Sequence, residues 1–290
     1  MNIIPQIVAN SLIAGSIYAL IALGFNLVYG ATRFVNMVPG ALAAIGGYTV
    51  FFLFNRLGLN IYFSVIAGVV VAGFFGYLSD RLVFRKLRSH KASNLVSFVA
   101  SLGIFTMLQA LISILFTSQF QSVLSVTENP KTYQILGATF TWVQGLIFIT
   151  SIAAFVSLAL ILKKTSFGKA VRAVSDDEEV SKIIGINTNR LISWIFFIGS
   201  CLIGLSGIFI GFDIGINPTM GLFIILEGAT ASIIGGIGNV YGGFLGAFLL
   251  GFVENFGILK IPGEWKPAIA FGLLILFLIF KPEGIMNKKK

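Results

Sequence analysis

The feature that most constrains this chain is a series of apolar stretches separated by short polar segments. A helix rises 1.5 Å per residue, so about 20 apolar residues cross the roughly 30 Å hydrocarbon core of a bilayer. Because the apolar runs are continuous and do not alternate with polar residues, they favour membrane helices over the strands of a barrel. With 57% hydrophobic and 11% charged residues, the chain lacks the polar side chains that a water-facing surface needs. We therefore predict an all-α integral membrane protein that forms one transmembrane domain over residues 1–290.

Polar breakers divide the sequence into about nine predicted crossings, within a range of eight to ten. The predicted crossings are 7–29, 35–54, 61–80, 95–117, 143–162, 191–213, 219–235, 240–257 and 267–280. Segment 219–235 is short and carries Glu227 in its middle, so a re-entrant loop is the alternative there. Asn217 as the helix cap and Pro218 as the first helical residue predict its start, and the glycines at 235–238 predict its end.

The distribution of positive charge predicts the orientation. Cytoplasmic loops of membrane proteins are enriched in Lys and Arg. With nine crossings, only four of the 20 basic residues fall in loops on one side, namely Arg56, Lys131, Lys260 and Lys266. The others fall on the opposite side, including a predicted basic loop at 81–91. We therefore predict the N-terminus outside and the C-terminus in the cytoplasm; a re-entrant segment at 219–235 would place the terminal lysines outside.

Several classes of function are disfavoured by the residues present. The glycine-rich Walker A spacing that cradles nucleotide phosphates does not occur in the sequence, so any ATP hydrolysis is expected on another protein. The single histidine, His90, lies among cations, and the single cysteine, Cys201, lies in an apolar run. We expect no metal and no bound cofactor. The net charge of +9 sits in short loops and not on one face, which argues against nucleic-acid binding.

Ionisable residues inside predicted crossings are candidates for function, because a charge near mid-membrane costs about 2.5 to 3.5 kcal/mol on insertion scales. Glu227 is the clearest example, with Asp213 and Glu254 nearer to the ends of their crossings. Glu227 is interpreted either as a carboxylate that hydrogen-bonds a neighbouring helix or as part of a transport pathway. The three residues fall in separate crossings and have no partner that the sequence identifies, so an enzyme is disfavoured.

The polar segment 163–190 is too long and too patterned for a simple connector, and we expect helices within it. Ser175 and Glu178 have the spacing of a capping box, with the acidic residues Asp176, Asp177, Glu178 and Glu179 at the start of the helix. Val180, Ile183 and Ile184 then form an apolar stripe, and Gly185 is the expected stop. Such a helix either lies against the bundle or docks a soluble partner.

An ordered set of motifs over about residues 7–285 resembles the membrane-spanning permease subunits of bacterial ABC importers for branched-chain amino acids. The motifs are Gly15–Leu20 with Gly24, Tyr29 and Gly30; Asn36 with Gly40; the loop Gly168–Ala173 followed by Gly185–Arg190; and Asn217, Pro218, Gly221 and Gly235–Gly238. Two positions depart from the pattern. Many members have a histidine where this chain has Pro39, and a lysine is frequent at the position of Glu227.

The resemblance implies a subunit of the bacterial cytoplasmic membrane that forms half of a translocation path by alternating access. It implies a second permease, two ATPase subunits that bind ATP and Mg²⁺, and an extracytoplasmic binding protein, with lipid around the helices. The expected ATPase-coupling residues are Lys169, Arg172, Ser175, Asp176, Asp177, Glu178, Glu179, Val180, Ile183 and Gly185. The expected pathway residues are Asn36, Pro39, Gly40, Asn217, Pro218, Glu227 and Thr230.

Two alternatives remain open at this point. The first is a self-contained secondary transporter or channel, in which the carboxylates inside the crossings would couple ions. The second is an ABC permease for urea, short amides or simple sugars, because such relatives have a similar sequence pattern.

Overall fold

The computed structural model describes residues 3–123, 132–135 and 137–286, which are mostly helical. The helices are α1 (Ile3–Thr32), α2 (Val38–Phe51), α3 (Ile61–Ser79), α4 (Arg85–Ser89), α5 (Asn94–Phe116), α6 (Trp142–Lys164), α7 (Ser166–Asp176), α8 (Glu178–Ile183), α9 (Thr188–Asp213), α10 (Met220–Gly235), α11 (Val240–Gly257) and α12 (Lys266–Phe280). Lys131 and Lys288–Lys290, which entered the charge argument, lie outside the described residues.

Eight helical segments within the described ranges are long and apolar enough to cross a membrane. They correspond to the predicted crossings other than 219–235. The helix in that segment, α10, has 16 residues, which gives it a length of about 24 Å. A mostly helical membrane protein is therefore confirmed, while the number of crossings stays a prediction.

Helix α1 lies at the centre of the bundle and packs against α11, α9, α10 and α6. In lipid, no hydrophobic force drives helices together, so they associate mainly through van der Waals packing. Small residues at the contact allow the helix backbones to approach closely. A Cβ at Gly24 would lie 2.5 Å from the carbonyl oxygen of Gly199, and one at Gly15 would lie 2.9 Å from the Phe248 ring. Helix α12, in contrast, has most of its surface exposed.

Hydrogen bonds between distant segments define two ends of the bundle. At one end, Gln6 Nε2 donates to the Thr139 carbonyl oxygen, Gln144 Nε2 donates to Asp213, and Gln121 pairs with Ile216. At the other end, Arg33 donates to the Ser175 carbonyl, Asn26 accepts from the Gly238 amide, and the Met286 amide donates to Gly235. Since α10 follows Ile216 and ends at Gly235, it connects the two ends.

The segment predicted as a basic loop at 81–91 is mostly helical, so this prediction was wrong. Helix α3 continues through a π-helical turn at Asp80–Phe84 into α4. The continuation is stabilised by a buried carboxylate: Asp80 is fully buried and accepts from Arg88 Nη1 at 2.7 Å and from the Ser193 hydroxyl at 2.6 Å. A basic sequence can therefore remain helical where one of its cations pairs inside the protein.

A two-stranded antiparallel hairpin lies before α6, and the sequence analysis did not predict it. Strand β1 (Thr132–Ile135) pairs with β2 (Ala138–Thr141), with Gly137 at positive φ in the turn. Thr141 ends β2 and also caps α6 in a capping box with Gln144. The hairpin therefore leads directly into a membrane helix.

Candidate translocation and coupling sites

Helix α7 is attached to the end of α6. The Thr165 hydroxyl caps α7 by accepting from the Gly168 amide at 3.1 Å. Gly168 lies against the last carbonyls of α6, where a Cβ would overlap them, and Arg172 donates to the Leu162 carbonyl oxygen. Lys169, on the other hand, is exposed. The loop motif that begins at Gly168 therefore fixes α7 against α6.

Helix α8 begins at a different cap from the predicted one. Ser175 and Asp176 belong to the last turn of α7, so the predicted capping box between Ser175 and Glu178 is wrong. The cap is Asp177, whose Oδ1 accepts from the amides of Glu179 at 2.8 Å and Val180 at 3.0 Å. A carboxylate at this position also interacts favourably with the helix dipole.

The apolar stripe of α8 does not pack into the bundle. Val180 is 52% exposed, Ile183 83% and Ile184 67%, whereas Ser181 is buried. Gly185 follows at a φ of 89°, which ends the helix as predicted. Of the two interpretations of this helix, its exposed stripe favours a surface that a partner covers.

Tyr18, Glu227 and Glu254 come together inside the bundle. The Tyr18 hydroxyl on α1 donates to Glu254 Oε2 on α11 at 2.7 Å, and both side chains are buried. Glu227 on α10 lies beside the same hydroxyl. The sequence analysis found the carboxylates but not their partner, because Tyr18 lies 236 positions from Glu254.

Asp213 has a different environment. It ends α9, and its Oδ1 accepts from Gln144 Nε2 at 3.0 Å. Gln144 lies in the first turn of α6, directly after the hairpin. Asp213 therefore joins two helix ends and does not contribute to the group around Tyr18.

The first three pathway candidates lie where α2 begins. Asn36 is buried, and its Oδ1 accepts from the Val38 amide at 3.1 Å. Pro39 is the second residue of α2 and is also buried. A Cβ at Gly221 would lie 2.5 Å from the Gly40 carbonyl oxygen, so these two glycines form the crossing of α2 and α10. The geometry therefore gives Gly40 a packing role.

The other pathway candidates lie on α10 or just before it. The helix begins at Met220 after Thr219, so Asn217 is not its cap and Pro218 is not its first residue. Instead, the Asn217 side chain accepts from the Thr219 hydroxyl at 2.9 Å. This turn precedes the helix and shifts its start by two residues. Thr230 is buried within α10.

The group formed by Arg88 with the buried Asp80 and Ser193 was not among the predicted site residues. It joins the extension of α3 at Asp80–Phe84 to the first turns of α9, and α9 follows the segment 163–190. The sequence could have indicated Asp80, because it is an ionisable residue at the end of an apolar run.

Comparisons with known proteins agree with the resemblance noted in the sequence. Residues 7–278 match the family model described as the permease component of branched-chain amino acid transport systems. The chain is 31% identical to the high-affinity branched-chain amino acid transport system permease protein BraD of Pseudomonas aeruginosa, over 98% of this chain and 95% of that protein. It is 30% identical to the corresponding protein LivH of Escherichia coli strain K12, over 96% and 94%.

A more distant relative has a different transport activity in its name. The fructose import permease protein FrcC of Rhizobium meliloti is 27% identical over 96% of this chain and 76% of that protein. The family match covers nearly the whole membrane domain, including α10 and the segment 163–190. The chain belongs to the family of permease components of branched-chain amino acid transport systems.

Proposed function

We propose that this chain is the membrane-spanning subunit of an ATP-driven importer for branched-chain or similar small neutral amino acids. Family membership carries the proposal, and the relatives BraD and LivH are named as permeases of such systems. The chain forms half of the translocation path and works by alternating access. Selective capture is done mainly by an extracytoplasmic binding protein, since a path must release what it binds.

The proposed assembly contains a second permease and two ATPase subunits, which hold ATP and Mg²⁺; this chain binds neither. The membrane is the bacterial cytoplasmic membrane, with the N-terminus outside and α7 and α8 in the cytoplasm. The positions of the basic residues support this orientation, because Arg33, Arg172 and Lys281 all lie at the end of the bundle that contains α7.

The segment 163–190, named here the coupling segment, is the proposed docking element for an ATPase. Its exposed stripe supports this role, and α8 is already ordered by the Asp177 cap, so docking does not have to order a flexible loop.

The substitution Ile183→Glu tests the docking role, because it places a carboxylate where the partner would exclude water. We expect the permease to insert and fold normally but to retain at least about tenfold less ATPase on purification in mild detergent. Ile214→Glu is the matched control, since Ile214 is 68% exposed at the opposite end of the bundle. Equal ATPase recovery with both variants would remove the coupling segment from the mechanism.

Glu227 is the proposed polar residue of the path, with Asn36, Pro39, Gly40, Asn217, Pro218 and Thr230 as the other candidates. This role is supported by the position of the Glu227 carboxylate, which lies near Tyr18 and Glu254 within otherwise apolar helices. The substitution Glu227→Gln keeps the shape and removes the charge. We expect amino-acid uptake to fall while the assembly stays intact, whereas Glu264→Gln, in the exposed turn before α12, should have no effect. Normal uptake by Glu227→Gln would show that the charge is not needed.

A sugar substrate is the second candidate, favoured by the similarity to the fructose permease. Competition for uptake separates the two substrates. Excess unlabelled leucine should abolish uptake of labelled leucine by the assembled importer, while excess fructose should leave it unchanged. Fructose uptake that leucine does not inhibit would favour the sugar.

A further inference from the structure

We propose that Arg33 is a positioning residue that ties the coupling segment to the central helix α1 and so passes movement of α7 to the translocation path. The inference rests on the proposed function, and it names a residue that neither the motifs nor the apolar pattern identified. Four features of the structure support it: the backbone of Arg33, its contacts, the other attachments of α7 and the open space beside it.

Arg33 has a backbone conformation that side chains of L-residues disfavour. Its φ is 57°, a value in the left-handed region, directly after the end of α1. Its amide donates to the Tyr29 carbonyl oxygen at 2.8 Å, which completes the last turn of the helix. Glycine is the usual residue at such a position. This backbone places the Arg33 side chain directly at the end of α1; because Lys91 has a similar φ of 51°, the contacts of the side chain, and not the strain alone, assign its role.

The side chain and backbone of Arg33 together connect three helices. Its Nη2 donates to the carbonyl oxygen of Ser175 in the last turn of α7. Carbonyls in that turn have no intrahelical partner, and a cation there also complements the helix dipole. The Asn94 side chain at the start of α5 donates to the Arg33 carbonyl oxygen at 3.3 Å. Arg33 is therefore the junction of α1, α5 and α7.

The two halves of α7 are held by different helices. Gly168 and Arg172 attach its first turns to the end of α6, while Arg33 attaches its last turn to α1. Without Arg33, the polar attachments of α7 described above would all lead to α6. A force on the neighbouring helix α8 would then move α7 without moving α1 to the same extent.

An open cleft lies beside the Arg33 contact. It has a volume of about 660 Å³, and its lining includes Asn26, Gly30, Arg33, Ser175 and Gly238. The cleft leaves α7 room to move relative to α1 and the turn before α11. Packing across this space is incomplete, so the hydrogen bond from Arg33 adds a directed contact to the apolar packing of Val171 and Val174 and can transmit the movement.

Helix α1 carries the connection onward into the bundle. Asn26 Oδ1 accepts from the Gly238 amide at 2.7 Å, which joins α1 to the turn between α10 and α11. Two turns further along α1, the Tyr18 hydroxyl donates to Glu254 on α11. Movement of α1 therefore reaches the helices on which Glu227 and Glu254 lie.

The decisive variant is Arg33→Gly, because glycine adopts the same φ without strain and removes only the side-chain bond. We expect the thermal unfolding temperature of the purified assembly to be unchanged or higher. We expect the number of amino-acid molecules transported per ATP hydrolysed, measured in proteoliposomes, to fall roughly fivefold or more. Arg33→Lys keeps the positive charge but lacks the forked guanidinium donors. Its transport ratio should therefore lie between the ratios of the wild type and Arg33→Gly.

The matched control is Lys91→Gly. Lys91 is also a cation at positive φ, 51°, in the turn after α4, and its side chain is exposed. This variant removes one positive charge and one strained φ, so its transport ratio should equal that of the wild type. A wild-type ratio in Arg33→Gly would overturn the proposal. The proposal would also be overturned if Arg33→Gly lowered the unfolding temperature and reduced transport and hydrolysis in equal proportion, because that result indicates a merely structural role.

The same assay separates this inference from the proposed function. If the wild-type chain neither binds an ATPase nor supports ATP-dependent uptake, the proposed function fails and Arg33 has no such movement to transmit. If the wild type is active and Arg33→Gly has the same transport ratio, only the role of Arg33 is refuted.

Discussion

At the scale of single residues, two buried tyrosines differ in the hydrogen bonding of their hydroxyl groups. The Tyr18 hydroxyl donates to a buried carboxylate, Glu254. The hydroxyl of Tyr48 is also buried, but it has no hydrogen-bond partner among the described residues. A buried polar group contributes to stability when it is paired and lowers stability when it is not.

We therefore expect Tyr18→Phe and Tyr48→Phe to differ in sign. Tyr18→Phe leaves the Glu254 carboxylate without its donor, so it should lower the free energy of unfolding by about 1 to 3 kcal/mol. Tyr48→Phe removes an unpaired hydroxyl and should leave stability unchanged or raise it. Thermal unfolding of both variants in the same detergent measures the difference. Equal losses would show that the Tyr18 contact contributes nothing beyond ring packing.

At the scale of helices, the membrane segments were predictable because length and hydropathy alone determine whether a segment can cross a bilayer. Local caps were harder, since both Ser175 and Asp177 are acceptable cap residues. Tertiary packing decided between them: burial of Val171 and Val174 extends α7 to Asp176 and leaves Asp177 to start α8.

Single alanine substitutions at Ser175 and at Asp177 test which of the two residues caps α8. Asp177→Ala removes the acceptor for two amides of α8, so local helix stability should fall by about 1 kcal/mol. Ser175→Ala should leave α8 unchanged, because the Ser175 side chain does not cap it. Hydrogen exchange of the Glu179 and Val180 amides reports the difference. Faster exchange in Ser175→Ala than in Asp177→Ala would restore the original capping box.

The crossing of α2 and α10 gives a second prediction at this scale. Gly221→Ala would place a methyl group 2.5 Å from the Gly40 carbonyl oxygen, so the helices must separate and stability should fall by about 1 to 3 kcal/mol. Gly103→Ala on α5 meets no atom within 4 Å and should raise stability by about 0.5 to 1 kcal/mol. Thermal unfolding compares them; the same sign for both would contradict the packing argument.

At the scale of the whole molecule, contacts between distant residues were beyond the reach of the sequence. The apolar pattern located Glu227 and Glu254 in their segments, but nothing local indicates that α1 lies between them and supplies Tyr18. Arg33 was counted only as one basic residue in a loop, because its contact with α7 depends on how the helices assemble. The orientation in the membrane is predicted from charge alone and stays a prediction.

Labelling of introduced cysteines tests the orientation in a Cys201→Ala background. Tyr133→Cys, in β1, should react with an impermeant thiol reagent in intact cells, because Tyr133 is 51% exposed at the proposed outer end. Ile183→Cys, in α8, should react only after permeabilisation. Ser125, another labelling position in the predicted outer loop between the crossings 95–117 and 143–162, lies outside the described residues. The reverse pattern of labelling would contradict the charge argument.

The central claim is that this chain transports amino acids only as part of an ATP-driven assembly. The most direct measurement is uptake of labelled leucine into proteoliposomes that contain the chain with or without its co-purified ATPase, second permease and binding protein. The account predicts uptake that requires the whole assembly and ATP and that persists when ionophores collapse the ion gradients. Uptake by the chain alone, driven by a proton or sodium gradient without ATP, would contradict it and identify a secondary transporter.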